Sequence, residues 1–447
     1  MNDQALKQAL LNLPGNAQES IVDQVFVPEF LQALGFGLME RVPAYTTGNR
    51  KDKVDYALRH NTNEDIFLAT QSNPYLLLEL KGRDINLSEG SAQYQSTFKQ
   101  LKGYLLDSNC KTVQWGIITN SVHIQLFRKH GKVIYPGTPC LNITPGNLIE
   151  VVTAIKQKIE NTPRALTVAI YNNKGGVGKT TTTVNLAAAL TLKEQKTLIV
   201  DFDPNQQDLT SSLAVKQGKE TLYSYLEDKK NRVNPGDVIQ PFVKKNAKTG
   251  QSFQFDIIPA DDKLAGQGED QLRQNFGIRR LRQILDNHKY DYDYILIDSP
   301  ANWRFFSQSA TYASDVVLIP TKHNNIFSLE NAAKAIKQFI PQAQQLRKDG
   351  GPIALPIFFN GENITDPARN TAYQAINDLI KQSQKEKFNL LPYFYPRYTK
   401  ARKDTHIFEL PSYAHIANAA FSRVPAAYKN QIARQYYLEL AKEYFLQ

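Results

Sequence analysis

Lys174-Gly-Gly-Val-Gly-Lys-Thr-Thr-Thr182 is the stretch whose reading decides the fold. It lies between an apolar, strand-like run, Thr167 to Tyr171, and an amphipathic helical pattern, Thr183 to Leu192. Strand, glycine-rich turn and helix are the setting a phosphate-binding loop needs. Glycines let the backbone pass close to phosphate oxygens with successive N–H groups pointing inward. The helix that follows adds the positive end of its dipole. Lys179 supplies a cation for the outer phosphates, and the Thr180 hydroxyl is placed to ligate Mg²⁺. Gly175, Gly176, Val177, Gly178 and Thr181 complete the nucleotide-binding stretch. Asn173 occupies the first glycine position of the common G-x-x-x-x-G-K-[ST] pattern, and an extra lysine, Lys174, follows it.

Outward from the loop, strand-like runs alternate with helix-length amphipathic segments. The runs fall at 167–172, 197–202, 255–259, 294–298, 316–320 and 356–360. Near-continuous apolar strands between helices predict an α/β fold with a mainly parallel sheet covered on both faces. Sites in such sheets lie at the carboxyl ends of the strands, where Asp203 and Asp298 both fall. The polar Glu-Asn-Thr-Pro-Arg segment at 160–164 follows a helical stretch, Asn147 to Ile159. It predicts a boundary between a domain at 1–160 and a P-loop domain at 161–447.

The order of motifs resembles the ParA/MinD group of P-loop ATPases, whose deviant Walker A loop reads K-G-G-x-G-K-[ST]. Thr197-Leu-Ile-Val-Asp-Phe-Asp-Pro-Asn205 is similar to the family's D-x-D-P-Q block, and Tyr294-Ile-Leu-Ile-Asp-Ser-Pro300 to its Walker B segment D-x-P-P. Pro396-Arg397, Glu409-Leu-Pro-Ser412 and Tyr437-Leu-Glu-Leu-Ala-Lys-Glu443 look like its closing blocks. The resemblance spans roughly residues 165–447. It implies ATP and Mg²⁺ as cofactors, a homodimer in the ATP state, non-specific DNA binding and a ParB-like or adaptor partner. It gives Lys174 the role of the lysine that reaches the partner subunit's nucleotide. Asp203 would position the attacking water, Asp298 would stand near Mg²⁺, and Asn360 would contact adenine. Asn205 and Ala301 depart from the family's glutamine and second proline.

The family's DNA surface uses basic residues late in the chain. Here Arg397-Tyr-Thr-Lys-Ala-Arg-Lys403 carries Arg397, Lys400, Arg402 and Lys403 within one short segment, with Arg423 and Lys429 as further cations. A net charge of +10 and a pI near 9.2 fit a polyanionic partner. The two cysteines, Cys110 and Cys140, have no metal or redox spacing, which fits a reducing cytoplasm. The N-terminus lacks the basic-plus-apolar pattern of a signal peptide, and no apolar run is long enough for a bilayer. The expected location is therefore cytoplasmic, at the nucleoid, with no membrane partner.

Before residue 160 the pattern changes. Helical Asp23 to Leu34 is followed by strand-like Val54 to Leu58 and Tyr75 to Leu80, a helix over Ser88 to Leu106, and strands at Gln114–Thr119 and Val122–Phe127 joined through Asn120-Ser121. Asp55 and then Glu79-Leu-Lys81 have the look of a PD-(D/E)-x-K nuclease core. Two carboxylates on adjacent strands can hold Mg²⁺, and a lysine two residues after the glutamate projects from the same strand face, where it can orient a water. With Glu29 on the preceding helix, Gln100-x-x-x-Tyr104 on the following one and Trp115-Gly-Ile-Ile-Thr-Asn120 after it, residues 20–135 resemble the N-terminal nuclease region of type I restriction-enzyme motor subunits. The same fold also serves as a non-cutting binding module. Three roles stay open: a partition or positioning ATPase, an ATP-gated nuclease, and a regulatory dimer with a silent nuclease fold.

Overall fold

The computed structural model describes residues 3–48, 52–245, 250, 252–361 and 363–447. The chain divides into two compact units. The first comprises Met1–Thr162 with Lys348–Gly350 and Phe445–Gln447, and the second Pro163–Arg347 with Gly351–Tyr444. The division falls inside the Pro-containing segment at 160–164.

In the first unit, helices α1 (Asp3–Leu11), α2 (Glu19–Val25) and α3 (Val27–Ala33) precede strands β1 (Arg41–Thr46) and β2 (Lys53–Leu58). Then come α4 (Phe67–Thr70), β3 (Leu76–Leu80), α5 (Ala92–Leu106), β4 (Trp115–Thr119), β5 (His123–His130), β6 (Val133–Pro136), β7 (Leu141–Asn142) and α6 (Leu148–Glu160). The sheet runs β1-β2-β3-β4-β5-β6, with β7 beside β5. Only the β3–β4 pair within it is parallel. The single helix expected over Asp23–Leu34 is two, α2 and α3. Pro28 sits in the first turn of α3, the helical position a proline tolerates. The turn at Asn120-Ser121 forms as the sequence suggests. Ser121 adopts φ +62°, and Asn120 Oδ1 accepts from the Val122 and His123 amides at 3.0 and 2.7 Å. Phe26, Phe30, Leu31, Leu76, Leu78 and Ile117 pack on one face of the sheet, and Leu77, Leu101, Leu105, Ile118 and Phe127 on the other.

In the second unit, β8 (Leu166–Ile170) leads into α7 (Lys179–Thr191), β9 (Thr197–Asp201) and α8 (Asp208–Leu213). The later strands are β10 (Gln240–Lys245), β11 (Ser252–Ile258), β12 (Tyr294–Asp298), β13 (Val316–Leu318), β14 (Pro320–Thr321), β15 (Ile353–Ala354), β16 (Phe358–Asn360) and β17 (Phe408–Leu410). The main sheet has the order β10-β11-β9-β12-β8-β13-β15. Every pair in it is parallel except β10–β11, a hairpin that the alternation of runs did not suggest. The run at 316–320 is also not one strand. It breaks at Ile319, and β14, β16 and β17 make a second, parallel sheet. Pro320 has no N–H to give a ladder, which makes it a natural point for the chain to change sheets. Helices cover both faces: Ile297, Val200, Leu281 and Phe305 fill one apolar cluster, and Val317, Ile336, Ile357 and Ile376 fill another. Among the described residues, no helix is long and apolar enough to cross a membrane.

Candidate functional site

The loop after β8 reads as its composition requires. Gly176 and Gly178 have φ +75° and +81°, the left-handed region that glycine enters without strain. Gly178 carries a second constraint, since a Cβ there would stand 2.4 Å from Asn360 Nδ2. α7 begins at Lys179, four residues earlier than the apolar periodicity indicates. Its first-turn amides are thereby brought to the loop mouth, the arrangement that binds anions.

Four polar side chains gather under that mouth. Lys179 is buried, its Nζ donating to the Lys174 carbonyl at 3.3 Å. Burial pulls its ammonium below the usual lysine value, and the charges of Asp298 and Asp203 pull the other way. Asp298, the last residue of β12, is buried at 2 % exposure. The Thr180 hydroxyl is its side-chain partner, while Oδ1 has no hydrogen bond at all. Burial, and then the charge of Asp201, push this carboxyl up to about 8. Asp203 accepts from the Gln206 amide at 3.3 Å and is raised by burial. A buried carboxylate with an unused oxygen beside a threonine hydroxyl suits a hard divalent cation, so Thr180 and Asp298 fit Mg²⁺.

Sequence reasoning passed over Asp201, the first aspartate of Asp-Phe-Asp. It is 1 % exposed, accepts from both the amide and the hydroxyl of Thr210 at 2.8 and 2.6 Å, and is raised to about 6, chiefly by burial. The Asp203 amide also donates to it, at 3.3 Å. It is a positioning residue that sets the geometry of the following turn, and its place in the Asp-x-Asp repeat was the available signal. Asn360 ends β16 beneath the loop. Its Nδ2 donates to the Val177 carbonyl at 2.7 Å, to Thr182 Oγ1 at 3.1 Å and to the Gly178 carbonyl at 3.3 Å. The amide nitrogen thus braces the phosphate loop.

A family model described as an AAA domain matches residues 165–349. Over 229 residues the chain is 31 % identical to the chromosome partitioning protein ParA of Myxococcus xanthus, covering 50 % of this chain and 74 % of that one. The chain belongs to the ParA family. Another relative, the sporulation initiation inhibitor protein Soj of Bacillus subtilis, is 36 % identical over 157 residues, which are 35 % of this chain and 57 % of Soj. Against Soj, then, this ParA-family chain spans little more than half of its relative. Among solved structures, an ATP complex of Cyanothece McdA aligns with a TM-score of 0.47 at 21 % identity, over 63 % of this chain and 96 % of that one.

The basic segment of this ParA-family chain is less uniform than its sequence suggests. Arg397 is clamped by Glu443 through two contacts of 2.7 and 2.9 Å. Arg402 pairs with Asp404 at 2.9 Å but stays 72 % exposed, and Lys400 and Lys403 are exposed. The charge excess lies in this part of the chain: residues 163–447 hold 37 Lys and Arg against 28 Asp and Glu, and residues 1–162 hold 16 against 15.

In the first unit the structure brings Asp55, Glu79 and Lys81 together. β2 pairs antiparallel with β3 in a register that sets Tyr56 opposite Leu78 and so, one step on, Asp55 opposite Glu79. Asp55 Oδ2 accepts from the Leu80 amide at 2.6 Å, and Lys81 Nζ lies 2.6 Å from Glu79 Oε1. Glu79 is 2 % exposed, and its Oε2 is buried without a partner. Burial, then the charge of Asp55, raise it to about 7 against the pull of Lys81. Asp55 is raised by burial as well. Tyr104 receives a hydrogen bond from Gln100 at 2.8 Å and feels the charges of Glu79, Asp52 and Asp55.

The helix acids at this site are Glu19 and Asp23, not Glu29, and the charges of both act on Asp55. The charge of Glu29 acts on Arg41, whereas Glu19 Oε2 lies 3.6 Å from Lys81 Nζ. Gly82 makes that approach feasible, because a Cβ there would sit 2.8 Å from the Glu19 amide. Among the described residues no group of three His, Cys, Asp or Glu side chains is arranged to hold a metal ion. Any cation here would draw on Asp55, Glu79 and main-chain oxygen.

Proposed function

We propose that this chain is a ParA-type ATPase that binds Mg²⁺-ATP, closes into a sandwich dimer, holds DNA without sequence preference and serves partition or cargo positioning at the nucleoid. A ParB-like or adaptor protein would stimulate hydrolysis. One observation carries the reading: Lys179, Thr180, Asp203 and Asp298 converge beneath the glycine loop, and one Asp298 oxygen has no partner.

The motif order and this geometry together support the following roles. Lys179, whose Nζ donates to a loop carbonyl, transfers to the β- and γ-phosphate oxygens when they enter. Thr180 and Asp298 would hold Mg²⁺, which would supply charge neutralisation at the phosphates. Asp203, at a strand end and raised by burial, orients the attacking water. Lys174, half-buried and one turn of loop away from Lys179, completes the partner's site in the dimer. Turnover is slow because charge stabilisation is incomplete until the second subunit arrives. The test is ATP hydrolysis and mass in solution with and without ATP. Lys179→Ala should lose hydrolysis. Lys174→Ala should bind ATP yet stay monomeric, and unimpaired dimers would remove its cross-subunit role.

A second reading is favoured by a different observation, the meeting of Asp55, Glu79 and Lys81 on the neighbouring interior strands β2 and β3. We infer a metal-dependent phosphodiesterase site there, acting on DNA under control of the ATPase. Plasmid nicking with Mg²⁺ or Mn²⁺ that vanishes in Glu79→Ala would support it. Intact plasmid under every metal and nucleotide condition would leave the first unit as a binding module.

A further inference from the structure

In the first unit, a lysine ammonium sits among carboxylate and carbonyl oxygens. Lys81 Nζ lies 2.6 Å from Glu79 Oε1, 2.7 Å from the Leu80 carbonyl and 3.6 Å from Glu19 Oε2. Carboxylate and main-chain carbonyl oxygens are the hard donors that Mg²⁺ or Mn²⁺ takes. Asp55 closes the other side, anchored through the Leu80 amide. The ammonium satisfies half of Glu79 only, since Oε2 is buried with no partner. The main chain at this point is fixed: the Lys81 amide donates to Thr119 O at 2.9 Å, and Gly82 is packed against α2. The lysine side chain is 18 % exposed against 2 % for Glu79, and its other acidic neighbour, Glu19, is 49 % exposed.

We propose that Lys81 is a tethered counter-ion: it fills the cation site of the first unit in the metal-free protein, and it moves toward Glu19 when a divalent cation enters. The inference rests on the metal-dependent reading of Asp55 and Glu79. Its physical logic is exchange. Glu79, buried beside the half-buried Asp55, would be costly to hold charged without any cation, so the chain supplies its own, and an incoming metal competes with an intramolecular ammonium. After the exchange the ammonium remains at the rim, two residues along the strand from Glu79, in reach of a water on the metal's open side. Glu19 is a positioning residue in this scheme, and the metal is held by Asp55, Glu79 and the Leu80 carbonyl.

The experiment is calorimetric titration of Mn²⁺ into the full, nucleotide-free chain, with Glu79→Ala as the blank. Lys81→Met keeps the apolar stem and removes the charge. It should bind Mn²⁺ about tenfold more tightly than wild type, because the competing ion pair is gone. Lys81→Gln, which keeps a polar tip, should shift affinity the same way and covers a Met variant that fails to fold. Glu19→Gln should weaken binding, since the displaced ammonium loses its second position. Equal or weaker binding by both lysine variants would overturn the counter-ion, while the metal-dependent reading would survive if wild-type binding is lost in Glu79→Ala. No Mn²⁺ uptake by any folded form would overturn both.

Discussion

Two places in this molecule set a lysine beside two acidic side chains, at least one of them buried, and they do so on unrelated backbones. In the second unit, Lys179 opens a helix and leans on its own loop, with Nζ on the Lys174 carbonyl and not on a carboxylate. Asp298 is left with an unused oxygen and rises to about 8. In the first unit, Lys81 follows the strand that carries Glu79 and touches it at 2.6 Å, and burial raises Glu79 as well, to about 7. The difference lies in where the cation rests. A site whose lysine is withheld from its carboxylates is ready for an anion and a metal together, as Mg²⁺-ATP brings them. A site whose lysine is already paired admits a metal only by displacement.

The largest expected effects come from breaking the first of these arrangements. Lys179→Ala should lower ATP hydrolysis by roughly 10²–10³, the usual loss for one preorganised charge-stabilising group. Gly178→Ala should be as damaging through a different cause. It forces a side chain onto a backbone at φ +81° and drives a Cβ into the Asn360 amide. Steady-state phosphate release measures both. Activity retained in Gly178→Ala would mean that the loop does not hold this geometry when it works.

The two carboxyls also differ in a way that pH exposes. Both have folded values above their unfolded ones, so the folded chain binds more protons than the unfolded chain in between, and stability falls as pH rises. For Asp298 the window runs from its ordinary 3.8 to about 8, and for Glu79 from 4.5 to about 7. In metal- and nucleotide-free buffer at pH 8, Asp298→Asn should therefore unfold at a temperature a few degrees higher than wild type, about 2–4 °C per kcal/mol for a domain of this size. The gap should close toward pH 4. Glu79→Gln should gain less, because it frees Lys81 from its partner. A larger gain at Glu79 would reverse the comparison. A smaller effect is expected at the brace: Asn360→Ala removes the donor shared by Val177, Gly178 and Thr182 and should weaken ATP binding about tenfold, the order of one or two buried hydrogen bonds.

How much of this was legible depends on how locally the chemistry is encoded. The phosphate loop, Asp203 and Asp298 could be read because a loop, two strand ends and their order are all written within short segments. The β2–β3 pair could be read for the same reason: alternation on a strand fixes which face Glu79 and Lys81 share. Glu19 was not legible. Sixty residues separate it from Glu79, and its approach depends on Gly82 passing close to the start of α2, a contact with no periodicity to announce it. The sequence offered Glu29 in its place because that residue also lies on a helix before the strands. The β10–β11 hairpin and the change of sheet at Ile319 were missed because apolar runs report burial, while partner strand and direction are decided by tertiary pairing.

The basic segment extends the comparison to a third lysine- and arginine-rich place, and the effect expected there is the smallest. Arg397 resembles Lys81: a carboxylate, Glu443, already holds it through both oxygens. Lys400 and Lys403 resemble Lys179 in being uncommitted to any acid among the described residues. If a pinned cation must give up its partner before it can neutralise a phosphate, its replacement should change DNA binding little. The dependence of log K on log salt should lose about 0.9 for each true phosphate contact removed. Lys400→Ala with Lys403→Ala should thus flatten the slope by nearly two, Arg402→Ala by up to one, and Arg397→Ala by a small fraction. A slope unaltered by the paired lysine change would take this segment out of the DNA surface. A full unit lost in Arg397→Ala would mean that DNA wins the arginine from Glu443, and that an exposed pair, unlike the buried one at Glu79, offers little resistance to displacement.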